Sequence, residues 1–155
     1  MLLYILRHAD ADTEAQTDDQ RRLSAKGKKQ GEQVARFCAA HDLQPSLILS
    51  SPLPRAKETA QFVADETRTE LLIVPWLASG MMPEAGLAEV QKYRARPSLM
   101  LVGHEPDLSG LIAYMVGLPS KSLVHIRKAS LTALEISVFR PSAACLEFSI
   151  PCKLM

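Results

Sequence analysis

Leu2-Leu3-Tyr4-Ile5-Leu6-Arg7-His8 decides how the rest of the chain is read. The run from Leu2 to Leu6 is apolar without alternation, which describes a strand covered on both faces. It stops at Arg7-His8, too soon for the core of a signal peptide and far too soon for a membrane span. A strand buried on both faces needs helices above and below it, and the downstream sequence supplies them.

A polar, acidic loop runs from Asp10 to Gln20. Ser24 is placed to cap a helix reaching about His41, with Gly27, Gly31, Val34, Ala35 and Cys38 on its packing face. Leu47-Ile48-Leu49 forms a second buried strand ending at Ser50-Ser51. Ser51-Pro52 reads as N-cap and first residue of a helix to about Glu66, turning Ala56, Ala60, Val63 and Ala64 inward. Leu71–Val74 is a third strand, Pro75–Gly86 irregular, and Leu87–Ala95 a helix. Leu99–Val102 is a fourth buried strand closed by Gly103-His104, and Glu105-Pro106 starts a helix to about Val116. Leu131–Val138 and Ala144–Ile150 alternate as a terminal hairpin. The expected fold is α/β: a three-layer sandwich with a mostly parallel central sheet, helices on both faces and a C-terminal antiparallel hairpin. No linker or repeat interrupts it, so residues 1–155 are expected to form a single domain.

Hydrophobic residues make up 47% of the 155 residues, and the net charge is +1. No global field marks nucleic acid or a membrane as partner, so any anion site must be local. Cys38, Cys145 and Cys152 form neither a disulfide framework nor a zinc spacing. A reducing, cytoplasmic setting is expected, and no cofactor.

The polar groups at the strand ends carry the chemistry. Arg7-His8 follows the first strand, Arg55 lies in the first turn after the second, and His104 follows the fourth. Ligands of an open parallel sheet bind beyond the carboxyl ends of its strands, so these groups can share one crevice. Arg55 and Lys57 oppose the positive end of their own helix, a conflict that a bound phosphate would resolve. Taken alone, Arg55 would more simply reach water or an acidic neighbour; together with Arg7 and two histidines it favours an anion. Arg7 disfavours protonation of His8, and a neutral imidazole is the nucleophilic form. His104 can donate to a phosphoryl oxygen, or merely cap the turn before Glu105.

Leu6-Arg7-His8-Ala9 resembles the Arg-His-Gly signature of the histidine phosphatase superfamily, which also holds the phosphoglycerate mutases. Ser50-Ser51-Pro52-Leu53-Pro54-Arg55-Ala56 with Thr59-Ala60 resembles its second phosphate-binding element, and Val102-Gly103-His104 its second histidine. The segment Arg21–Gly27 and the chain length are similar to the SixA-type phosphohistidine phosphatases. The resemblance implies a metal-independent phosphatase in which His8 is the nucleophile and Arg7, Arg55 and His104 form the phosphate pocket. It also implies Arg21 as a further phosphate-binding residue, with Arg22 where the branch often has proline. Ala9 departs from the signature glycine, which matters if that position needs positive φ.

Mutases and many acid phosphatases of this superfamily protonate an oxygen leaving group with a carboxylic acid. Glu84 and Glu105 are the candidates near the crevice, and neither sits in a matching motif. Weak acid provision suits a P–N bond, so the expected substrate is phosphohistidine. Short connections should leave the crevice open to a phosphohistidine-bearing protein, such as a histidine-phosphotransfer domain or a phosphotransferase-system protein. A small-molecule phosphomonoester phosphatase is the alternative. A metallohydrolase using His8, Asp10, Asp12 and His104 would place two arginines beside its ion. A non-catalytic phosphoprotein-binding module would keep Arg7, Arg21 and Arg55 but have no use for both histidines.

Overall fold

The computed structural model describes residues 1–155. The apolar run becomes β1 (Leu2–Arg7), buried throughout from Leu3 to Leu6. It is followed by α1 (Ala25–Ala40), β2 (Ile48–Ser50), α2 (Pro54–Thr67), β3 (Leu71–Ile73) and α3 (Pro83–Gln91). Then come β4 (Ser98–Gly103), α4 (Asp107–Val116), β5 (Leu131–Ile136) and β6 (Ala144–Ile150). One six-stranded sheet has the order β3-β2-β4-β1-β5-β6. β1 to β4 pair in parallel, while β5 and β6 add the antiparallel hairpin.

The period of two along each central strand divides the core into two layers. Tyr4, Leu6, Met100 and Val102 pack with Val34, Cys38, Ala56 and Ala60 of α1 and α2. Leu3, Ile5, Leu99 and Leu101 pack with Leu87, Val90, Leu108 and Leu111 of α3 and α4. This is the expected three-layer sandwich, with the hairpin in its expected place.

Two glycines set how closely α1 seats. A Cβ on Gly31 would lie 2.4 Å from the Phe62 ring, so the helices α1 and α2 meet at that point. A Cβ on Gly27 would lie 1.9 Å from the carbonyl oxygen of Asp10, the segment that follows His8. Ser24 caps α1 as expected, accepting from Gly27 N at 3.0 Å and donating to Asp10 Oδ2 at 2.7 Å.

Some boundaries differ from the reading above. α2 begins at Pro54, with Leu53 rather than Ser51 as its N-cap. A residue preceding proline is pushed out of the helical region, and Leu53 sits at φ −69°, ψ 136°. α3 begins at Pro83 and ends at Gln91, four residues earlier at each end than expected. Pro83 takes the first helical position, and Asp107 Oδ2 accepts from Gly80 N (2.7 Å) and Met81 N (3.1 Å) to fix the entry. β3 is an edge strand with Leu72 and Ile73 exposed. All three cysteines are free, and no helix is long and apolar enough to cross a membrane.

Candidate active site

β4 lies between β1 and β2, so their carboxyl ends are adjacent. The chain leaves each strand still bonded to its neighbour: His8 N donates to Gly103 O at 3.0 Å, and Ser51 N to Val102 O at 3.0 Å. This brings His8 and His104 together, with ring centroids 5.1 Å apart. Arg55 joins them from the first turn of α2. The side chains spread from residue 7 to residue 104 thus meet at the carboxyl end of the sheet.

His8 is 7% exposed, and its Nδ1 lies 2.7 Å from Ala9 O. A carbonyl can only accept, so Nδ1 carries the proton and Nε2 keeps its lone pair. Burial is the main cause that lowers the His8 pKa to about 3; the neighbouring His104, Arg55 and Arg7 lower it further. His104 is lowered to about 4, first by burial and then by Arg55. Its Nε2 shares a hydrogen bond of 2.7 Å with Ser51 Oγ, which also accepts from Leu53 N at 3.2 Å. The serine expected to cap α2 therefore holds the second histidine.

Arg7 Nη1 donates to Ile126 O at 2.8 Å. Ala129 N donates to both Arg7 O (3.1 Å) and His8 O (3.2 Å). Ala129 adopts φ 56°, a conformation rare for a residue with a side chain. Two buried side-chain atoms have no hydrogen-bond partner, Arg7 Nε and His104 Nδ1, and both belong to this site. An unsatisfied buried polar group costs roughly 1–3 kcal/mol.

Arg55 meets an acidic neighbour. Its Nη1 donates to Asp18 O at 2.5 Å and its Nη2 to Asp18 Oδ2 at 2.8 Å. The Arg55 side chain is 5% exposed and that of Asp18 64%, so the carboxylate covers a buried guanidinium from the solvent side. Asp18 thus relieves part of the conflict between Arg55 and its helix. Arg21 does not face the histidines directly. Its Nε, Nη1 and Nη2 donate to Asp12 O (2.6 Å), Asp18 Oδ1 (2.9 Å) and Ala11 O (3.0 Å), folding the loop back and aiming Asp18. Arg22 points away to Glu58, at 2.5 Å.

Asp18 is the carboxylate that sequence reasoning missed. Within an acidic loop nothing distinguishes it except the arginine three residues later. Hydrogen bonding from Arg21 is the main cause holding its pKa below the ordinary range. The expected candidates behave differently: Glu84 is exposed, and both Glu105 carboxylate oxygens accept from Ser109, through its N–H and its hydroxyl. Ala9 does not have positive φ, so its methyl group is accommodated without strain. Asp10 is engaged by Lys128 Nζ (2.6 Å) and Ser24 Oγ (2.7 Å), and no three His, Cys, Asp or Glu side chains converge as metal ligands.

Comparison with known proteins bears on the family and the fold. Residues 3–79 match the model of the histidine phosphatase superfamily (branch 1). An uncharacterized protein of Picosynechococcus sp. is 32% identical over 151 residues, covering 92% of this chain and 90% of that protein. Among solved structures, the protein histidine phosphatase SixA complexed with tungstate superposes with a TM-score of 0.87 at 20% identity, covering 100% of both chains. The α-ribazole phosphatase of Shigella flexneri gives 0.82 at 19% identity, over 98% of this chain and 97% of that one. A mycobacterial glucosyl-3-phosphoglycerate phosphatase gives 0.80 at 20% identity, over 97% and 99%. At these identities the superpositions speak to the fold.

Proposed function

The chain belongs to the histidine phosphatase superfamily, a class of metal-independent phosphatases, and from that premise we propose that it removes phosphate from phosphohistidine through a covalent phospho-His8 intermediate. The observation that carries the site assignment is the pair of orphaned buried atoms, Arg7 Nε and His104 Nδ1, beside a neutral His8. A phosphoryl group brings acceptor oxygens for such donors, and Arg55 adds a third cationic or polar group.

In the first step the Nε2 lone pair of His8 attacks phosphorus in line, and the bond from phosphorus to the leaving group breaks with its electron pair. Arg7, Arg55 and His104 stabilise the equatorial oxygens. In the second step water attacks phospho-His8, the P–N bond breaks, and inorganic phosphate and neutral His8 are restored. Phosphate reaching Arg55 competes with the Asp18 carboxylate for the same guanidinium.

The choice of a P–N substrate rests on proton supply. The carboxyl at the mouth, Asp18, is held ionised by Arg21, and Glu105 is occupied by Ser109. An alkoxide leaving group needs a proton donor far more than a departing imidazole does. The second reading is a small-molecule phosphomonoesterase, and the comparisons favour this wider reading over the narrower one, because the fold is shared with phosphatases of α-ribazole phosphate type and of glucosyl-3-phosphoglycerate.

The test measures kcat/KM for a phosphohistidine peptide, free phosphohistidine and small phosphate esters, with label trapped by rapid alkaline quench. Acid-labile label on His8, absent in His8→Ala, and preference for the phosphoramidates are expected. Label on Ser50 or Ser51 would overturn the mechanism. A strong preference for a sugar or glycerate ester would install the second reading.

A further inference from the structure

A cleft of about 420 Å³ adjoins the site on the α1 side of β1, and Arg7 belongs to its wall. Lys26, Arg127, Lys128 and Lys153 also line it, against a single carboxylate, Asp10. Asp10 is already bonded to Lys128 at 2.6 Å, whereas Arg7, Lys26, Arg127 and Lys153 have no ion-pair partner. Five cations facing one carboxylate, in a chain of net charge +1, leave the rest of the molecule net acidic. The positive charge is therefore concentrated on the side of the site where Arg7 lies.

These cations are brought together by tertiary structure. Lys26 lies in the first turn of α1, which has no acidic residue of its own; the nearby carboxylate is that of Asp10, bonded to Ser24 and Lys128. Arg127 and Lys128 lie in the segment that Arg7 Nη1 and Ala129 N lock onto the end of β1. Lys153 comes from the last residues of the chain. Lys26, Arg127 and Lys153 are exposed, a design that suits a solvated acidic surface better than a tightly enclosed small anion.

We infer that this basic cleft docks an acidic polypeptide segment flanking the phosphorylated residue of the substrate; the inference rests on the phosphatase reading above. Complementary charge of this kind raises encounter rates by roughly 10–10³, and salt removes the gain.

The test uses phosphohistidine peptides whose flanking positions are Asp/Glu, Ser or Lys, together with free phosphohistidine and a bisphosphorylated sugar. The enzyme is compared with its K26E/R127E/K153E variant and the milder K26Q/R127Q/K153Q variant, both checked by thermal melting. At low salt the wild type is expected to favour the acidic peptide over the Ser peptide by about tenfold or more in kcat/KM. The preference should shrink in 0.5 M NaCl, where the Debye length falls to about 4 Å. The Glu variant should lose or reverse it, the Gln variant should weaken it, and both should turn over free phosphohistidine as the wild type does. Retention of the acidic preference in the Glu variant, or its absence in the wild type, overturns the docking site. A preference for the bisphosphorylated sugar that the Glu variant loses, without any peptide preference, overturns the polypeptide occupant. Failure of every enzyme form on free phosphohistidine instead overturns the underlying reading.

Discussion

The two buried neutral histidines should make the protein lose stability in mild acid, before its carboxylates titrate. In the unfolded chain both titrate near the ordinary value of 6.5, whereas folding lowers His8 to about 3 and His104 to about 4. Below pH 6.5 the unfolded state therefore binds protons that the folded state refuses, and stability falls as pH falls. The loss grows until the folded-state values near 4 and 3 are reached and then levels off. At pH 5 each histidine contributes a loss of about 2 kcal/mol, together about 4 kcal/mol relative to pH 8. That is a large share of the roughly 5–15 kcal/mol that holds a domain of this size. Asp10 and Asp18 are lowered from 3.8, so their stabilisation is present above that value and is lost at lower pH, outside this window. Urea unfolding at pH 8, 7, 6 and 5 measures the slope, and H8Q/H104Q removes both groups. The double variant should flatten most of the decline between pH 7 and pH 5. A wild-type profile that stays flat, or a double variant that declines equally, would refute the claim that these imidazoles are held neutral. The same reasoning bears on activity: the acid limb of kcat/KM should not report His8 near 6.5.

Arg55→Ala should lower kcat/KM on the order of 10²–10³ while the circular dichroism spectrum is preserved, by analogy with removal of one oxyanion donor; an unchanged rate would take Arg55 out of the pocket. Gly27→Ala sets a methyl group 1.9 Å from Asp10 O, a backbone atom that cannot step aside, and should cost about 3 kcal/mol or more in urea unfolding. It should also depress turnover, since Asp10 lies two residues beyond His8; a variant as stable as wild type would show that α1 can slide. Prolonged dialysis against EDTA should leave turnover unchanged in an assay in chelated buffer. Loss restored by a divalent ion would contradict a phosphoryl pocket built from Arg7, Arg55 and two histidines.

Much of the fold is legible because its strands are continuous apolar runs. Leu2–Leu6, Leu47–Leu49 and Leu99–Val102 have no polar face to expose, so helices on both sides were implied by residue type alone. His8, Arg55 and His104 were legible for a related reason: each follows a strand whose direction is set by the parallel sheet. Boundaries slipped where two local signals competed. Ser51-Pro52 and Leu53-Pro54 both read as helix starts, and the choice went to the later proline because Leu53, the residue before it, is held outside the helical region.

Local sequence by itself determined the layers and the strand ends, whereas the neutral state of His8 is set mainly by burial in the folded chain and only lastly by Arg7. Tertiary structure alone decided which loop residue covers Arg55, that Arg21 pairs with that same Asp18, and that Lys26, Arg127 and Lys153 share a cleft with Arg7. The physical reason is range. Backbone preference and burial act over a few neighbouring residues and leave a pattern in the chain, whereas charge pairing between an exposed loop and a distant helix leaves no period to read. Asp18 lies 37 residues from Arg55, and only the folded backbone sets the distance between them.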